Sequence, residues 1–131
     1  MEKIKLKLIQ PDRILLDDEI EHVIVPGVEG DFGVYVNHAD FITKIRPGVL
    51  EVYSGEKIEE YAIHDGYVSV ENNQVNIVCE AVEKQENIDR QRAEAAKERA
   101  EKRMKSSEEE VDFRRAELAL KRSLVRLSLK K

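Results

Sequence analysis

Arg92, Arg99 and Arg103 follow one another at spacings of seven and four, and Arg115, Arg122 and Arg126 repeat that spacing nearer the C-terminus. On an α-helix these intervals put three guanidiniums on one face. Guanidiniums that converge without enough carboxylates select an anion, and their planar forks match phosphate or carboxylate. If the two segments fold back on each other about Ser106, Asp89 and Arg92 come beside Arg122 and Arg126, and Arg99 falls nearer Arg115. The same residues also read as a solvated charged face, with helical neighbours such as Glu117 and Lys121 in support.

Other chemistry is sparse. His22, His38 and His64 lie far apart without ligand spacing, and with Cys79 as the one cysteine no zinc pattern forms. No metal site is expected. Neither a phosphate loop, a dinucleotide fingerprint nor a nucleophile elbow occurs. The glycines of Gly30-Asp31-Phe32-Gly33 follow no βα unit. Cys79 sits in the alternating run Asn76-Ile77-Val78-Cys79-Glu80-Ala81-Val82 and reads as a small buried hydrophobe. No catalytic constellation is present, so the chain does not read as an enzyme.

The elements that would position the arginines emerge from a break near residue 86. Residues 1–86 carry 8 Lys/Arg against 18 Asp/Glu, a net of −10, whereas residues 87–131 carry 14 against 9, a net of +5. All 6 glycines and all 3 prolines lie in the first part, and so does every aromatic residue except Phe113. Gly and Pro punctuate turns, so the first part is turn-rich and the second has no breaker. Ile4, Leu6 and Leu8 alternate with lysines, the period of a half-buried strand. His22 to Val25 is a short β-branched run closed by Pro26-Gly27. Val49 to Tyr53 and Ile58 to Ile63 flank a four-residue hairpin loop, Ser54 to Lys57. Tyr67 to Val70 and Val75 to Val78 flank another, Glu71 to Gln74. Short strands with close turns predict an antiparallel β-sandwich or flattened barrel over 1–86.

The second part predicts two helices, about 88–105 and 108–129. Asn87 can cap the first, with Asp89 in its first turn, and Ser107 with Glu110 forms a capping box for the second. Phe113, Ala116, Leu120, Leu124 and Leu127 recur at three and four, while the first helix offers the small-residue seam Ala93, Ala96, Ala100 and Met104. An antiparallel hairpin is the natural pairing, weak on its own because it buries little area. Its corner, Lys105-Ser106-Ser107, lacks Gly and Pro. One continuous rod is therefore also permitted, provided a partner covers the leucine stripe.

Several classes fall away. The longest apolar run is Val23 to Pro26, so nothing spans a bilayer. The alternation of the first ten residues offers no secretory signal. A lone cysteine points to a reducing, cytosolic compartment. A basic tail interleaved with acids and holding one aromatic is a poor nucleic-acid binder. A carbohydrate- or ligand-binding β-sandwich with an oligomerising helical tail is the competing class, and sparse aromatics argue against it.

Gly30 to Val52 resembles the long central loop and following strand of the epsilon subunits of F-type ATP synthases. His64 to Asp89 is similar to that family's last hairpin and linker. Ile88-Asp89-Arg90-Gln91-Arg92-Ala93 resembles its I/L-D-x-x-R-A motif, and Phe113 to Arg122 its second-helix signature. The resemblance covers the whole chain. It implies a ten-stranded β-sandwich followed by a helix hairpin. It implies a non-catalytic place in the rotor's central stalk, peripheral to the cytoplasmic face of the cell membrane, bound to the gamma subunit and the ring of c subunits. It also implies that the extended helices restrain ATP hydrolysis against the alpha and beta subunits, with Arg115, Arg122 and Arg126 as contacts. In members whose folded hairpin binds ATP, with or without Mg, the matching positions here are Glu83, Ile88, Asp89, Arg92, Arg99, Arg122 and Arg126. No covalently bound cofactor is implied.

Overall fold

The computed structural model describes residues 3–85, 88–106 and 110–129. It divides into two compact units, one ending at Lys84 and one beginning at Gln85. The first holds eight strands: β1 (Ile4–Gln10), β2 (Arg13–Ile20), β3 (His22–Gly27), β4 (Gly30–Val34), β5 (Phe41–Ile45), β6 (Gly48–Ser54), β7 (Lys57–Glu71) and β8 (Gln74–Lys84).

All ladders are antiparallel except that of β1 with β8, which runs parallel from Lys5↔Gln74 to Ile9↔Val78. The first half of β7 pairs with β6 and its second half with β5, and both neighbours reach β3. Four strands thus close on themselves, and β8, β1 and β2 extend the sheet outward. Between the layers, Leu6, Leu8, Val23, Val25, Leu50, Ile63, Val68, Val75 and Ile77 are fully buried. Each such side chain contributes on the order of 1.5–3 kcal/mol of transfer free energy.

The structure has eight strands where the resemblance implied ten, and one anticipated break is absent. The runs Ile58 to Ile63 and Tyr67 to Val70 belong to one strand, β7. Asp65 accommodates the passage with φ of 57°, and at Gly66 the backbone of β8 comes so close that a Cβ would collide with the Val78 carbonyl and with Cys79. The two expected four-residue loops are tight turns of two residues. Ser54 still pairs with Lys57 around Gly55 (φ 64°), and Glu71 with Gln74 around Asn72 and Asn73 (φ 51° and 58°). In the second turn, positive φ at both central residues gives the twist that matches the flanking strands. Three strands were not anticipated: β2, β4 and β5. β2 is a sheet edge with exposed Asp17, Asp18 and Glu19, acids that keep an open edge from pairing with another chain.

The second unit holds α1 (Arg90–Ser106) and α2 (Glu110–Ser128), packed as an antiparallel hairpin. Asp89 caps α1: its Oδ1 accepts from the Arg92 amide at 3.2 Å, while its carbonyl accepts from Ala93. Asn87 and Ser107 lie outside the described residues. Glu110 spends its carboxylate on the Arg114 guanidinium, 2.9 Å away one turn on. The expected seam is only partly the observed one. Ala93 and Ala100 of α1 and Ala116 and Ser123 of α2 are buried, whereas Phe113 and Leu124 are exposed. Small residues on both helices set the pairing, and the Ser123 hydroxyl is satisfied by donating to the Ala119 carbonyl at 3.1 Å.

Candidate functional site

A cavity of about 200 Å³ opens on the hairpin, lined by Asp89, Arg92, Ala93, Ala96, Arg99 and Arg126. Its α1 residues recur at three and four from the cap onward, so one helical face forms the floor and one wall. The alanines leave the space, and the guanidiniums rim it. Arg126 comes from the last turn of α2. Three guanidiniums thus face one carboxylate, and that carboxylate is already engaged with the start of its own helix. A site of this size is below that of a pocket enclosing a drug-sized molecule. It suits a phosphate chain whose remainder lies outside.

Of the residues expected to bind ATP, Asp89, Arg92, Arg99 and Arg126 gather here. Ile88 is buried just before the cap and presents no polar group. Arg122 is half-buried on α2 and does not line the cavity. Glu83 belongs to β8 in the other unit, opposite Ala62. Arg115 is exposed and does not line the cavity, which Arg99 shares with Arg126. The reason is the hairpin register. The Arg90 guanidinium donates to the Leu129 carbonyl, which brings the start of α1 beside the end of α2.

The three histidines and the cysteine sit among structural neighbours. His22 stacks between Tyr35 and Tyr53, with ring centroids 4.5 and 4.1 Å away. His38 lies beside the Ala39 carbonyl at 2.7 Å, and His64 is buried next to Asp65. Burial, with Glu80 nearby, pushes the Cys79 thiol up to about 11, so it packs as an inert small hydrophobe. Among the described residues no group of three His, Cys, Asp or Glu could hold a metal ion. No described helix is long and apolar enough to cross a membrane.

A second surface escaped the sequence reading. On the outward face of the sheet, Ile14, Ile9, Val78 and Tyr67 are consecutive cross-strand partners over β2, β1, β8 and β7. Ile14, Val78 and Tyr67 are 55%, 53% and 57% exposed, and Ile42, on the next outward row, is 71% exposed. The signal was present in the alternation around Cys79: with Ile77 and Cys79 inside, Val78 must face out. Contiguous exposed apolar residues mark interaction surfaces.

Residues 3–85 match the family model described as ATP synthase, Delta/Epsilon chain, beta-sandwich domain, and residues 86–131 match its long alpha-helix domain. The chain belongs to the epsilon-subunit family of F-type ATP synthases. The ATP synthase epsilon chain of Syntrophobacter fumaroxidans is 39% identical over 98% of this chain and 96% of its own length. That of Desulfitobacterium hafniense is 42% identical over 94% and 92%. A solved chain of the Euglena gracilis mitochondrial ATP synthase superposes with a TM-score of 0.83 at 29% identity, covering 91% of this chain and 76% of that one. A chain from the central stalk and c-ring of the Tetrahymena thermophila enzyme, 13% identical with a TM-score of 0.62, shares the fold. Epsilon subunits are non-catalytic parts of the synthase's central stalk, which accords with the lack of any catalytic constellation in the sequence.

Proposed function

We propose that this chain is a rotor subunit that binds the gamma subunit and the ring of c subunits at the cytoplasmic face of the cell membrane, and that its hairpin regulates ATP hydrolysis by binding ATP when folded. The observation that carries the regulatory reading is the cavity: Arg126 meets Arg92 and Arg99 only while α1 and α2 lie side by side. In a continuous rod Arg92 and Arg126 would stand about 50 Å apart at helical rise. Phosphate oxygens accept charge-assisted bonds from guanidiniums, so ATP favours the folded state through this difference and shifts the balance toward it. When released, the helices extend toward the alpha and beta subunits, where Arg115, Arg122 and Arg126 make salt-sensitive contacts. The outward row of Ile14, Val78 and Tyr67 supplies the apolar face for gamma.

Isothermal titration of the isolated chain with ATP, with and without Mg, tests the reading. Binding is expected, weakened about tenfold or more in Arg92→Gln and in Arg126→Gln, since a hydrogen bond to a charged group is worth about 1.5–3 kcal/mol. Arg115→Gln should bind as the parent does. No heat of binding, or equal affinity in all four proteins, would reduce the arginine rim to a solvated face.

A further inference from the structure

Arg90 stands at the unfavourable end of its own helix. Helix N-termini carry partial positive charge and favour acids. Yet α1 opens Arg90-Gln91-Arg92 and has no acidic residue in its first turn. Arg92 is accounted for by the cavity it lines. Arg90 faces elsewhere: its Nη1 donates to the backbone carbonyl of Leu129, 3.4 Å away and 39 residues on. Leu129 directly follows α2, where the last carbonyls have no partner within the helix and negative partial charge collects. The Leu129 side chain is itself buried. A cation that would disfavour α1 thus satisfies the end of α2.

We propose that Arg90 is a clasp: it caps α2 from the start of α1, fixes the register that brings Arg126 opposite Arg92 and Arg99, and biases the hairpin toward the closed arrangement with no ligand bound. Opening the hairpin at its breaker-free corner must break this bond. The clasp does not depend on nucleotide, and its test is made without any.

In the full-length chain, Glu94→Cys and Leu124→Cys place spin labels at exposed positions on α1 and α2, while Cys79 is buried and stays unlabelled. Pulsed electron paramagnetic resonance then reads the open-to-closed ratio, and hydrogen exchange of the α2 amides follows openings too rare for that method. Arg90→Gln should raise the ratio about two- to fivefold, the range set by one helix-end charge. Arg90→Glu should raise it further, although an acid suits the start of α1 better and keeps that helix formed. An Arg90→Glu protein that closes as well as the parent, or better, by both measurements would overturn the proposal. If ATP fails to bind at all, these outcomes are unaffected, so the two readings fail separately.

Discussion

Glu59 shows how a single carboxylate ties strands together. Burial alone would raise its pKa, but Lys84, hydrogen-bonded at 3.0 Å, outweighs that together with Lys57 and the Tyr61 hydroxyl, and the carboxyl is held below its ordinary value of 4.5. A carboxyl with a depressed folded pKa adds stability above its unfolded pKa, and that stability is lost as pH falls through the folded value. Glu59→Gln should therefore lower stability at pH 7 by about 0.5 kcal/mol, and the difference should fade as the pH drops below about 4.5. Denaturant melts of both proteins across that range check it. At this scale the sequence disclosed residue types better than their company. Arginine spacing pointed to an anion site, and Asp89, Arg92, Arg99 and Arg126 do line one cavity. Their grouping depended on how the two helices are paired, which a corner without Gly or Pro does not mark.

Among the elements, β7 and β8 depend on one missing side chain. The Val78 carbonyl and Cys79 leave no room for a Cβ at Gly66. Both are backbone-fixed members of the central pairing, so neither can rotate away. Gly66→Ala should lower the midpoint of sandwich unfolding by several degrees, consistent with overpacking costs of about 1–3 kcal/mol. An unchanged midpoint would mean that the two strands separate easily there. The same residue explains part of what was misread. A glycine beside Asp65 signals a turn by composition, yet here it marks a close approach within one long strand. β2 was missed for another reason: its acidic stretch has no apolar alternation, because an edge strand buries little of itself. The helices were legible in type and approximate extent. Their seam was not, since burial follows small residues such as Ala93, Ala100, Ala116 and Ser123 rather than the more hydrophobic Phe113 and Leu124.

Across the whole molecule, charge and composition change together where one compact unit ends and the other begins. The acidic part carries the apolar core and an outward apolar row. The basic part carries the guanidinium cavity and little core of its own. Such a hairpin is held by a few small-residue contacts and a clasp, which leaves its closure within reach of a ligand or a partner. The sequence showed this division because turn-formers, aromatics and charge all shift at one point. Alternation marked Val78 as facing out, but its neighbours in the outward row were hidden because they depend on strand register. The most direct test of the account is ATP hydrolysis by a synthase assembled with the full chain, compared with one assembled with residues 1–86 alone. Both should assemble. Hydrolysis should be faster with the truncated chain, and the difference should shrink as ATP is raised and holds the full-length hairpin closed. Equal rates at all ATP concentrations, with both forms bound to gamma, would contradict a regulatory role for the hairpin.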